Sequence, residues 1–148
     1  MDYSFRNGNA SIYSQLLQII MNGVDSISDV EGLMLEFLMQ PHPVTNGTNS
    51  LGLKPNETDM VLVTIAAAYN NAADDDTILA AVEGFWGQQV QILQEAGLWF
   101  NFTFLNYAGP NQNPIKTYGT LPALQKVSKK YDPRGIFQTA VPGPWKLF

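Results

Sequence analysis

Three groups of residues in this 148-residue sequence are of types that do chemistry. The run Asp74-Asp75-Asp76 is the densest carboxylate cluster. A calcium-type site needs further oxygen ligands and a glycine in the loop, and none follows. The run stands before an apolar-periodic stretch, so it reads as a helix N-terminus, where carboxylates offset the dipole. The single histidine, His42, lies between Pro41 and Pro43. A catalytic histidine requires an orienting partner and a nucleophile, and there is no G-x-S-x-G motif. His42 therefore reads as an exposed loop residue. Trp99, Phe100, Phe102, Phe104 and Tyr107 are aromatic enough to line a ligand slot, although core packing is the default use of such residues. The chain has no cysteine and one histidine, which excludes thiol nucleophiles, disulfides and multi-histidine metal sites within it. No catalytic and no metal-ligating residue is assigned.

The elements that position these groups follow from periodicity. Ile12, Leu16, Ile19 and Ile20 give a helix over about 11–25, closed near Gly23. Residues 32–39 alternate as a strand, ended by the prolines at 41 and 43. Residues 44–58 form a polar loop, expected to be the most exposed stretch. Residues 59–69 make a second strand, apolar enough to be buried on both faces. Ile78, Val82, Phe85, Gln89 and Ile92 define a long helix, capped by Gly97. Gly84 and Gly87 fall inside it, so they make no phosphate cradle. Residues 98–107 read as a third strand. Thr120 caps a short helix with Pro122 in its first turn, and its basic C-terminal end suits the helix dipole. Residues 137–148 read as an apolar tail draped over the surface. The second strand, long helix and third strand fit a split βαβ unit. The fold class is α+β: a partial antiparallel sheet backed by helices, with a C-terminal helix and an irregular tail.

A net charge of -5 argues against nucleic acid and against an anionic membrane surface as partners. No apolar run approaches the roughly 20 residues of a membrane helix. The N-terminus lacks the basic start and apolar core of a secretory signal. Four sequons nevertheless occur, at Asn9, Asn46, Asn56 and Asn101, where chance would give roughly one or two. The excess points to glycosylation and a secreted parent protein whose start lies upstream.

Short motifs carry a resemblance. Phe104-Leu105-Asn106-Tyr107-Ala108 resembles the Y-x-N-Y-A strand of the berberine bridge enzyme-like branch of FAD-linked oxidases. Tyr131-Asp132-Pro133-Arg134-Gly135-Ile136-Phe137-Gln138 is similar to the fungal Y-D-P-x-G-x-F-Q signature, and Val141 to Leu147 to the closing V-P-G-G-x-K-L. Asp29 to Gly32, Gln40 to Pro43, Asn49 to Leu53 and Asn70 to Asp75 also fit, in the same order and spacing.

The resemblance implies the C-terminal portion of a fungal FAD-linked oxidoreductase. Residues 1–110 would be part of its substrate domain, and 111–148 a segment returning to an FAD-binding domain. That domain would hold most of the FAD, and the fragment would be incomplete and inactive alone. The reaction implied is oxidation of a small organic substrate or sugar, with oxygen as acceptor. Asn106 and Tyr107 would approach the flavin, and Phe104 and Thr64 the substrate. The first tyrosine of the family motif is Phe104 here and residues 63–65 offer no base, so no catalytic base is evident. The alternative is a secreted, stand-alone binding domain derived from such an enzyme and free of flavin.

Overall fold

A computed structural model describes residues 1–143 and 145–148. Four strands, β1 (Asp2–Arg6), β2 (Met34–Pro41), β3 (Met60–Ala68) and β4 (Trp99–Phe100), form one sheet in the order β2-β3-β1-β4. All three pairings are antiparallel. Helix α1 (Ala10–Gly23) joins β1 to β2, and α2 (Asp75–Glu95) joins β3 to β4. This β-α-β-β-α-β order, with the first and third strands central, is the ferredoxin-like arrangement. The split βαβ unit is present, and the strand that splits it is β1.

Strand alternation sorts the side chains. Tyr3, Phe5, Val61, Val63 and Ile65 face the helices and pack with Leu16, Ile20, Val82, Phe85 and Leu93. Asp2, Ser4, Leu62, Thr64 and Phe100 take the opposite face. Gln89 is buried between the helices, and its amide donates to Leu16 O at 2.8 Å, fixing α2 against α1. The second strand runs through Pro41, which is tolerated because β2 lies at the sheet edge. β3 is buried on both faces only over residues 60–63, and its far end is more open.

The expected third strand over 98–107 pairs at only two residues. From Thr103 to Leu105 the backbone amides are met by side chains. Thr103 N donates to Thr117 Oγ1, Phe104 N to Asp2 Oδ2 and Leu105 N to Tyr118 Oη. A segment satisfied this way has no need of a strand partner. β1 then loses its neighbour at Asp2, and the Gln112 side chain replaces it. Its Oε1 accepts from Asp2 N at 2.9 Å, and its Nε2 donates to Asp2 O at 2.6 Å.

Helix α3 (Leu121–Tyr131) forms as its pattern dictates, although Thr120 does not cap it. The Thr120 hydroxyl donates instead to Ser50 O. The tail is not wholly irregular. Ile136–Thr139 make one helical turn, α4, whose amides at Ile136 and Phe137 donate to the Asp132 carboxylate. At the start of α2, Asp74 makes no capping bond, while Asp75 accepts from Tyr69 Oη at 2.7 Å. The acidic run therefore acts on α2 through charge and first-turn placement.

The loop 44–58 is less exposed than its composition suggests. Asn49 Oδ1 accepts from Leu51 N and Leu53 N, which turns Leu53 into a cluster with Phe102, Ile115 and Tyr118. Gly52 has φ +81°, and a Cβ there would lie 2.5 Å from the Gly119 backbone nitrogen. Gly52→Ala is expected to cost at least about 1–2 kcal/mol from its left-handed backbone alone. Gly97→Ala carries a similar φ, +68°, with open space around it. Denaturant midpoints should therefore fall further for Gly52→Ala than for Gly97→Ala. Equal losses would show that the loop yields without cost.

Candidate functional site

Among the described residues, two of the buried polar atoms without partners, Asp2 Oδ1 and Thr64 Oγ1, lie on the helix-free face of the sheet, while Tyr3 Oη, Trp86 Nε1 and Gln89 Oε1 lie on the helix side. Asp2 and Thr64 are opposite each other on β1 and β3. Asp2 is fully buried; its Oδ2 accepts from Phe104 N at 2.5 Å, and its Oδ1 has no partner among the described residues. Thr64 Oγ1 is also buried and unpaired. Burial pushes the Asp2 carboxyl up to about 7, against the opposing pull of the Phe104 amide. An unpaired, desolvated carboxyl that changes charge near neutrality is a functional signal. Reading the sequence missed Asp2 because no strand was assigned to residues 2–6. The signal available there was alternation, with Tyr3 and Phe5 on one side and Asp2 and Ser4 on the other.

Phe104 follows directly from this anchor. Its amide is held by Asp2, and its ring meets Tyr107 edge-on at 5.3 Å. Residues 105–107 form a turn, in which the amides of Tyr107 and Ala108 donate back to Phe104 O. Asn106 and Tyr107 therefore stand on an exposed turn, not on a strand. Together with Thr64, Tyr69 and Pro110, and with Asp75, Ile78 and Val82 of α2, they line a cleft of about 520 Å³. Three of the four expected site residues thus share one cleft. Phe104 lies behind it and lines a second hollow of about 240 Å³ with Leu53, Leu62, Phe102 and His42.

His42 is not the exposed loop residue its flanking prolines suggest. It is half-buried, shares a 3.0 Å hydrogen bond with Ser4 Oγ through Nε2, and meets Phe102 edge-on at 5.3 Å. Burial lowers its pKa, so the ring is neutral at physiological pH. The Ser4 partner lies 38 residues away, which local sequence does not reveal. The four sequon asparagines are all exposed. Asn9 uses its Oδ1 to cap α1, accepting from Ser11 N and Ile12 N, which leaves its Nδ2 unused by the cap.

No group of three metal-ligating side chains occurs among the described residues. No described helix is long and apolar enough to cross a membrane. The donors on the cleft suit the edge of a planar heterocycle. Asn106 offers both a donor and an acceptor, and neither is engaged among the described residues. The buried Asp2 Oδ1 and Thr64 Oγ1 lie one strand pair behind.

Fold and site together define an α+β lobe with one cleft between the end of β3, the start of α2 and the 105–107 turn, and a second hollow on the helix-free sheet face. No family model and no solved structure matches the chain. Curated relatives do. The chain is 32% identical over 112 residues to FAD-dependent monooxygenase sdcF of Emericella nidulans, covering 74% of this chain and 23% of that protein. It is 30% identical over 105 residues to FAD-dependent monooxygenase tpcD of Cochliobolus heterostrophus, covering 70% and 20%. An FAD-dependent monooxygenase of Cercospora nicotianae is 30% identical over 148 residues, covering 94% and 32%. The chain is thus homologous to part of fungal FAD-linked oxidoreductases, and spans about a fifth to a third of the length of these relatives.

Proposed function

We propose that this chain is the substrate-side lobe of an FAD-dependent oxidoreductase of the berberine bridge enzyme-like branch, with residues 1–110 forming the lobe. The observation that carries the reading is the convergence of Thr64, Asn106 and Tyr107 on one cleft between β3 and α2. Bound FAD would supply hydride acceptance from a small organic substrate, with oxygen as the final electron acceptor. The chain's own residues hold the ring edge through Asn106 and Tyr107 and wall the substrate with Thr64 and Phe104. Asp2 keeps Phe104 in place.

Residues 111–148 are read as the segment that packs on an FAD-binding domain, which holds most of the cofactor. Support comes from the exposed apolar side chains of Val127, Tyr131, Ile136, Phe137, Val141 and Phe148. Exposed sequons support a glycosylated, secreted parent. On this reading the chain is inactive alone.

Two titrations test it. Full-length chain mixed with FAD and passed through gel filtration is expected to retain no flavin. Retained, saturable FAD would overturn the fragment account, and its absence from a folded monomer with no apolar stickiness would favour a stand-alone binding domain. Riboflavin at millimolar concentration, followed by amide shifts, is expected to perturb Asn106, Tyr107 and Thr64. Shifts confined to other surfaces would remove the flavin-edge assignment.

A further inference from the structure

The second hollow has a chemistry of its own, and it specifies a ligand more narrowly than the open cleft does. Its walls are Leu53, Leu62, Phe102, Phe104 and the proline pair, and no charged side chain lines it. Only Gln40 and His42 bring polar atoms. We infer that this hollow binds a neutral planar aromatic ring system bearing a hydroxyl, with the hydroxyl on His42. The inference rests on the oxidoreductase reading and names the substrate class for it.

Size argues first. The hollow measures about 240 Å³. An engineered apolar cavity of roughly 150 Å³ holds benzene, so this space suits more than one fused ring. Polarity argues next. A sugar would bring several hydroxyls against a wall with two polar residues, and each unpaired hydroxyl costs roughly 1–3 kcal/mol. A carboxylate or sulfonate would meet no cation.

The histidine fixes the remaining group. One ring nitrogen is held by Ser4, and Nδ1 has no hydrogen-bond partner among the described residues. The neutral ring presents Nδ1 as donor or acceptor, according to which partner donates in the Ser4 bond. A ligand hydroxyl both donates and accepts, so it satisfies either tautomer.

The walls are already rigid. Phe102 stacks on Tyr118 at 5.6 Å and 12°, and Phe104 is tied through its amide to Asp2. A preformed aromatic slot loses little ordering entropy on binding.

The test uses the full chain and 2-naphthol, followed by methyl and amide shifts. Saturable shifts at Leu53, Leu62 and Phe102 are expected, with a dissociation constant on the order of 1 mM or tighter. Naphthalene, naphthalene-2-sulfonate and glucose are the comparison ligands, and each is expected to bind about tenfold more weakly or not at all. His42→Phe keeps the ring and removes the hydrogen bond, and should erase the preference for 2-naphthol over naphthalene. Leu51→Trp, on the loop rim of the hollow, should block binding; if it fails to fold, His42→Phe carries the test alone. Tighter binding of glucose or the sulfonate, or a preference for 2-naphthol that survives in His42→Phe, would overturn the inference. So would an absence of 2-naphthol shifts. In that case riboflavin shifts at Asn106 and Tyr107 would still leave the oxidoreductase reading standing, whereas loss of the riboflavin shifts with 2-naphthol binding retained would strike that reading and, with it, the status of the hollow's ligand as a substrate.

Discussion

Asp2→Asn is expected to stabilise the protein at pH 8 and to change little at pH 4. The carboxyl ionises at about 7 in the folded chain against an ordinary 3.8. Well below pH 3.8 both folded and unfolded states hold the proton, and the group contributes nothing to the balance. As pH rises from 4 to 7 the unfolded chain ionises first, so folding stability falls through that window and levels off above it. A displacement of about three pH units corresponds to roughly 4 kcal/mol as an upper bound, and about 2–4 kcal/mol is the expected gain at pH 8. Asparagine keeps an oxygen for the Phe104 amide, so that hydrogen bond should survive. Urea midpoints for both proteins at the two pH values settle it. An equal change at both, or a loss at pH 8, would mean that Asp2 is ionised without cost in the folded chain. The carboxyl's own titration, followed by carbon NMR, gives the same answer independently.

Gln112→Ala is expected to be the most damaging single change outside the apolar core. One amide serves three backbone groups: Asp2 N, Asp2 O and Gly109 N. Truncation leaves the edge of the central strand β1 without partners in a partly buried setting. Leaving a buried donor or acceptor unsatisfied costs about 1–3 kcal/mol, and partial access of water moderates the sum. A loss of about 2–4 kcal/mol is therefore expected. Amide exchange should speed up selectively at Asp2 and Gly109. If stability drops while those two amides keep their protection, Gln112 acts through packing instead.

These two residues mark where the sequence stopped being informative. Both helices of the sheet layer, the strands β2 and β3, and α3 were legible, because each carries enough residues for its period to show. β1 was not. Five residues with two aromatics among Asp, Ser and Arg form no conspicuous apolar run, yet tertiary pairing on both sides makes them central. The excess length assigned to β4 has the opposite cause. Residues 101–105 have strand-like composition, but Thr117, Asp2 and Tyr118 capture the amides of residues 103–105. Of the site, Thr64, Asn106 and Tyr107 were named through resemblance and do share a cleft. Asp2 and the Ser4–His42 pair escaped notice because their partners lie 102 and 38 residues away.

The placement of β1 also sets how the chain must fold. Its first residues wait for partners that arrive about 60 and then about 95 residues later, at β3 and β4. Contacts so distant along the chain close slowly, because loop-closure entropy is lost before any pairing compensates it. The sheet closes around β1 only when β3 and then β4 reach it, and α2, which lies between them in sequence, completes the helical layer. Refolding from denaturant should accordingly be slow and sensitive to protein concentration.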